Sequence, residues 1–213
     1  MHGKLKSLSA LALTCALSAC HPADARKPFT GQELYASCTS CHGADGQGNP
    51  TIATPAIAGL PAWYLESQFV KFRTGVRGAH PDDLEGLRMR PMTRQMLNEA
   101  EIKAVVGYVA QLPARAQVKS LEADAAAGQA SYATCTACHG ADGKGNEALK
   151  APPIAGQYDW YLVSQLKKFR AGIRGTHPND ITGAQMRPMA LTLADDQAVK
   201  NVVAHIGTLS NSK

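Results

Sequence analysis

The chain has 213 residues, 45% of them apolar and 18% charged. That balance excludes a disordered or fibrous chain and allows one large globular domain or two small ones. The longest apolar stretch, residues 8–19, is well short of the ~20 residues a spanning helix needs, which excludes a polytopic membrane protein. The formal net charge is +5, but past residue 20 the charges nearly balance: 10 basic against 9 acidic in residues 21–116, and 10 against 8 in residues 117–213. With no basic stripe, nucleic acid is not an expected partner.

The first 20 residues read as an export signal. Lys4 and Lys6 form a positive start and residues 8–17 an apolar core. Leu17-Ser18-Ala19-Cys20 follows. It resembles the lipobox of bacterial lipoproteins, which implies a lipid anchor at Cys20. The alternative is ordinary cleavage after Ala23-Asp24-Ala25, leaving a soluble protein. Cys15 is removed either way, and both readings place the mature chain outside the cytoplasm, in the periplasm.

Sliding the sequence on itself by 97 residues matches it without a gap, with about half of the aligned positions identical. The period is too long for a solenoid, so the expected organisation is two domains, residues 28–113 and 125–213, joined by a linker at 114–124. Thr30-Gly31-Gln32-Glu33 is a capping box, with Phe29 and Leu34 placed for a hydrophobic staple. It predicts a helix running into Cys38. The Gly- and Pro-rich residues 43–61 predict a loop. Leu65, Phe69 and Phe72 lie at helical spacing over residues 63–74, and Gly75 marks the stop. Asn98-Glu99-Ala100-Glu101 opens another helix with Ile102, Val105, Val106 and Val109 on its apolar face. The second half repeats this outline. Strand signals are scarce, so the fold is expected to be all-α.

Cys38-Thr-Ser-Cys41-His42 and Cys135-Thr-Ala-Cys138-His139 carry the chemistry. Cys-x-x-Cys-His is the spacing of covalent haem attachment: two thiols one helical turn apart form thioethers to a porphyrin, and the next histidine is held under the iron. Structural zinc would need four N/S ligands, and each half has no further cysteine past its motif. A thioredoxin-like redox pair has no need of the histidine. Two haem c groups are therefore expected, with no disulfide. They would also give each small domain an apolar body to pack around. For the sixth iron ligand, Met-Arg-Pro-Met recurs 47 residues after each motif histidine, as Met89/Met92 and Met186/Met189. A thioether ligand raises the potential and suits electron transfer. His80 and His177 are alternatives, but each precedes a proline, which suggests a surface turn.

The whole mature chain resembles a dihaem class I cytochrome c of the cytochrome c4 type, through both Cys-x-x-Cys-His-Gly motifs, Pro-x-Ile-Ala-Gly and the downstream methionines. The resemblance implies two tandem class I domains, with the Pro55 and Pro152 carbonyls accepting the Nδ1–H of His42 and His139. It also implies Met89 and Met186 as distal ligands, because the family's ligand lies seven residues before the apolar position matched by Met96 and Leu193. Pro91 and Pro188 are expected to hold the chain extended, so that Met89 and Met92 cannot share a helical turn. Trp63, Tyr64, Phe72, Trp160 and Tyr161 are read as haem wall or core, with Trp63 and Tyr64 also placed to reach a propionate. Arg73, Arg77, Arg170 and Arg174 either neutralise propionates or stay solvated. Gly43, Gly46 and Gly48 let the loop turn tightly. The function expected is one-electron transfer from a quinol-oxidising complex or dehydrogenase to a terminal oxidase or reductase, with redox proteins as partners and no small-molecule substrate. A docked subunit of a membrane redox enzyme and a dihaem peroxidase are the competing readings.

Overall fold

The computed structural model describes residues 28–96, 98–116 and 118–209; the leader and Cys20 lie outside them. The described residues are helical, with two isolated bridges, Asn49–Thr54 and Asn146–Ala151, and no strand. The first half holds α1 (Gly31–Tyr35), a 3-10 turn (Ala36–Cys38), α2 (Thr39–His42), a second 3-10 turn (Pro50–Ile52), α3 (Ala62–Thr74), α4 (Leu84–Thr93) and α5 (Glu99–Gln111). The second holds α6 (Ala125–His139), α7 (Asp159–Arg170), α8 (Ile181–Leu191) and α9 (Asp196–Leu209). None is long and apolar enough to cross a membrane.

Local chemistry sets the ends of these helices. Thr30 and Glu33 form the reciprocal capping box, while Phe29 stays half exposed and Leu34 packs into the first core. Asn98 caps α5 by accepting from the Glu101 N–H, and Gly75 ends α3 in the left-handed conformation. In each half the first helix crosses the last. Gly31 lies against the Ala104 carbonyl and Gly128 against that of Asn201, so closely that a Cβ would collide with backbone. Two small cores result. One gathers Tyr35, Met96, Ile102, Val105, Val106 and Val109; the other gathers Tyr132, Leu193, Val199, Val202, Val203 and Ile206.

The expectation that Pro91 and Pro188 hold the chain extended is corrected. Both lie inside helices, α4 and α8. Proline's fixed φ suits a helix; what it costs is one N–H bond to the carbonyl four residues back. Those carbonyls belong to Leu87 and Ala184, both exposed residues, so the missing bond falls on the solvent side of each helix. Met89 and Met92 therefore share a helical turn, as do Met186 and Met189.

The halves meet by exchanging side chains. Lys71 on α3 donates to Asp180 at 2.6 Å and to Thr182 at 2.5 Å. Its counterpart 97 residues on, Lys168 on α7, donates to Asp83 at 2.6 Å and to Glu85. Asp83 and Asp180 also cap α4 and α8. The exchange is that of a pseudo-twofold axis. It orients α4 and α8, the helices that carry the methionines.

Candidate haem sites

Each Cys-x-x-Cys-His motif ends on a left-handed glycine, Gly43 (φ 78°) or Gly140 (φ 80°), which turns the chain out of the helix. Cys38 and Cys135 are half-buried, Cys41 and Cys138 exposed, and none of the four is in a disulfide. Burial raises the Cys38 and Cys135 thiols above their ordinary pKa. His42 Nδ1 lies 3.1 Å from the Pro55 carbonyl and His139 Nδ1 lies 2.8 Å from that of Pro152. A carbonyl only accepts, so Nδ1 carries the proton and Nε2 keeps its lone pair. Burial lowers both histidine pKa values, outweighing the carbonyl bonds. Both rings are thus held as neutral imidazoles of the tautomer an iron would need.

The loop beyond each motif is tied back to it. The N–H groups of Gly48 and Gly145 donate to the His42 and His139 carbonyls at 2.9 and 2.8 Å. Gly48, at φ 79°, passes so close to Pro55 that a Cβ would lie 2.5 Å from its carbonyl carbon. Tyr35 and Tyr132, both 2% exposed, donate to the Gly43 and Gly140 carbonyls at 2.7 Å. Burial raises Tyr35 and pushes Tyr132 up to about 12, so both hydroxyls stay protonated donors. The sequence reading missed these tyrosines, although both sit three residues before a motif cysteine and 97 residues apart.

One cavity of about 660 Å³ runs from Cys38 and His42 to Cys135 and His139. Pro55, Pro152, Trp63, Tyr64, Tyr161 and Phe72 are in its wall, as are Met89, Met92, Met186 and Met189. Trp160 is not among the wall residues, but its indole N–H is buried without a partner. Met92 Sδ accepts from Gln95 Nε2 at 3.6 Å, and Met189 is 38% exposed; Met89 and Met186 are half-buried. His80 and His177 stay outside the wall, their Nδ1 atoms accepting from the Asp82 and Asn179 N–H groups in surface turns. Arg73 and Arg170 also lie outside it; Arg170 instead binds Asp196 and the Ala194 carbonyl at the start of α9.

Arg77 and Arg174 set the electrostatics of this cavity. Arg77 donates to Gln68 at 2.8 Å, to Tyr161 at 2.9 Å and to Gln165 at 3.0 Å. Arg174 donates to Gln165 at 2.5 Å. These acceptors are all neutral, and among the described residues neither guanidinium has a carboxylate in ion-pair contact. Both Nε–H groups are buried and unpartnered. Burial, then the charge of Arg77, pushes Arg174 down to about 10. Each guanidinium stacks on a ring, Arg77 on Phe72 and Arg174 on Phe169, and feels the charge of Asp83 or Asp180 without touching it; their unused donors suit anions in the cavity, which the propionates of two haems would supply. Thiols, neutral imidazoles, thioethers, an apolar wall and two guanidiniums with unused donors together fit two haem c groups.

Comparison with known proteins agrees. The sequence model of the cytochrome c family matches residues 30–113 and 125–210. The chain is 32% identical over 223 residues to the thiosulfate dehydrogenase electron acceptor of Stutzerimonas stutzeri (strain A1501), covering 97% of this chain and 96% of that protein. Reduced recombinant cytochrome c4 from Pseudomonas stutzeri matches with a TM-score of 0.62 and 27% identity, over 83% of this chain and 95% of that one. Thiosulfate dehydrogenase TsdBA from Marichromatium purpuratum matches with a TM-score of 0.64 and 31% identity, over 84% of this chain but 39% of that chain. The chain belongs to the cytochrome c family. It is a dihaem class I cytochrome c of the c4 type, an electron-transfer protein rather than an enzyme, with two covalent haem c groups at Cys38/Cys41 and Cys135/Cys138.

Proposed function

We propose that this protein is a periplasmic one-electron shuttle, tethered through Cys20, that takes electrons from a thiosulfate-oxidising dehydrogenase and passes them to a terminal oxidase or reductase. The observation that carries the donor assignment is the end-to-end likeness to a thiosulfate dehydrogenase electron acceptor. Bound haem supplies a reversible one-electron couple. In this reading His42 with Met89, and His139 with Met186, would hold the two irons, and a ligand set common to both oxidation states would keep the reorganisation small. Met89 is favoured over Met92 because the Met92 sulfur already accepts from Gln95, and Met186 over Met189 because Met189 is exposed. Arg77, Arg174, Tyr64 and Tyr161, all in the cavity wall, would screen the haem propionates. A docked-subunit role is the second reading, favoured by the match to part of the longer TsdBA chain.

The test is reduction of the oxidised protein by a thiosulfate dehydrogenase supplied with thiosulfate. Both haems should reduce within the enzyme's turnover time, and failure of reduction refutes the donor assignment. The ligands are tested by Met89→Ala. It should abolish the methionine-to-iron charge-transfer band of one haem, while Met92→Ala should leave both bands in place. Detergent-phase partitioning that is lost in Cys20→Ser tests the tether.

A further inference from the structure

Side chains at the junction of the halves mostly come in pairs 97 residues apart, but Gln157 does not. Its counterpart is Leu60, and its target, Ala56, has Pro153 as counterpart. Gln157 Nε2 donates to the Ala56 carbonyl at 2.8 Å, and its Oε1 accepts from the Ala56 N–H at 3.2 Å. One side chain of the second half thus takes both backbone polar groups of a buried residue in the first. The mirror-image clamp cannot form, because Leu60 has no polar group and Pro153 has no N–H.

The N–H of Ala56 and the carbonyl of Pro55 belong to one planar peptide unit. That carbonyl accepts from His42 Nδ1 at 3.1 Å. Gln157, the 55–56 peptide and His42 therefore form a continuous hydrogen-bonded chain across the domain junction. A peptide whose N–H is bonded to an acceptor is polarised, and its oxygen becomes a better acceptor. A stronger acceptor on Nδ1–H makes the imidazole a more basic ligand. We infer that Gln157 is a positioning residue, contributed by the second half, for the axial histidine of the first haem, and that it ties the docking of the halves to the electronic state of that haem alone. The inference rests on His42 being the axial ligand, which the low-spin spectrum of the wild-type protein tests separately.

Two full-length, haem-loaded variants test it. Gln157→Leu copies Leu60 and removes the whole clamp. Ala56→Pro copies Pro153 and removes only the polarising N–H, leaving the Ala56 carbonyl for Gln157 Nε2; the Pro152-Pro153 pair shows that this backbone accepts proline there. In the reduced protein, the Nδ1–H of His42 should exchange with solvent at least threefold faster in both variants by NMR, with His139 unchanged as the internal reference. The electron distribution between the haems should move about threefold toward the first, because a less basic histidine stabilises the oxidised iron less. The inference is overturned if His42 exchange and the distribution match wild type in both variants. It is equally overturned if both histidines change together, or if Gln157→Leu acts and Ala56→Pro does not, since the clamp would then be merely structural.

Discussion

The first half reaches its haem histidine through α1, a 3-10 turn and α2; the second reaches its own through the single helix α6. The cause is local. α6 starts on Ala125-Ala126-Ala127, where the first half has Pro28-Phe29-Thr30, and it carries Ala130 and Ala137 where the first half has Glu33 and Ser40. Alanine favours unbroken helix, whereas proline and a capping threonine delay its start by a turn. Yet the two histidines end with the same partners, beside the same left-handed glycines, under the same tyrosine hydroxyls. The haem site is thus held by the contacts that follow each motif and tolerates different routes into it.

The most severe way to break this comparison is to remove one attachment point. Cys38→Ala with Cys41→Ala should lower haem content from two per chain to one, read by haemochrome absorbance against protein mass. The second site should keep its haem and its spectrum, because its motif helix, that helix's Asp124 cap and the loop beyond it all come from residues 124 onward. Loss of both haems would show that the halves mature as one unit.

A milder perturbation cuts the exchange between the halves. Lys168 is 9% exposed and Asp83 3%, so Lys168→Met leaves a buried carboxylate without its cation, a loss on the order of 3–5 kcal/mol. Lys71→Met should cost less, because Lys71 is more exposed and faces one carboxylate rather than two. Acid should separate the two proteins. Burial raises the Asp83 carboxyl, but the Lys168 bond and charge outweigh it and hold the group below its ordinary value. Glu85 is lowered in the same sense. A depressed folded pKa gives stability that is complete above the unfolded pKa of about 4 and is lost as pH falls through the folded value. In Lys168→Met the buried Asp83 carboxyl loses its cation, so its folded pKa rises and acid relieves the strain. The melting-temperature gap between wild type and variant should therefore narrow as pH drops toward 4. A gap that widens contradicts the pairing.

What the sequence made legible followed from the repeat and from chemistry with fixed spacing. The two haem motifs, the capping box at Thr30, the apolar face of α5 and the stop at Gly75 each depend on neighbours within a few residues. The prolines misled because a helix-breaking tendency was read where proline's fixed φ suits the helix and the bond it costs falls at an exposed residue. Gln68, Gln165, Lys71 and Lys168 were illegible for a different reason. At helical spacing they read as solvated face, and only the meeting of the halves buries them. Their duplication at 97 residues was the available signal. Gln157 lacked even that, since its partner is backbone of the other half and its counterpart is a leucine.

The smallest expected effect concerns a charge in the Lys–carboxylate exchange at the junction that the pseudo-twofold leaves unmatched. Asp83, Glu85 and Lys168 sum to one negative charge; Asp180, Thr182 and Lys71 sum to none. Glu85 is in the wall of the shared cavity on the first half's side, in the first turn of the helix carrying Met89, so its carboxylate disfavours adding an electron there. Glu85→Thr copies Thr182, which accepts from Lys71 without disturbing the Lys71–Asp180 pair, so the junction should stay intact. The potential of the first haem should rise while that of the second hardly moves. Because Glu85 is paired with Lys168 and partly exposed, the shift should stay below the ~59 mV of a tenfold one-electron change. Thr182→Glu should lower the second haem by a similar amount, which makes the pair a charge swap rather than two unrelated lesions. Resolved redox titration of the two haems reads both effects. Equal shifts of both haems in either variant would mean that the carboxylate acts on the molecule's overall field and not on the half that carries it.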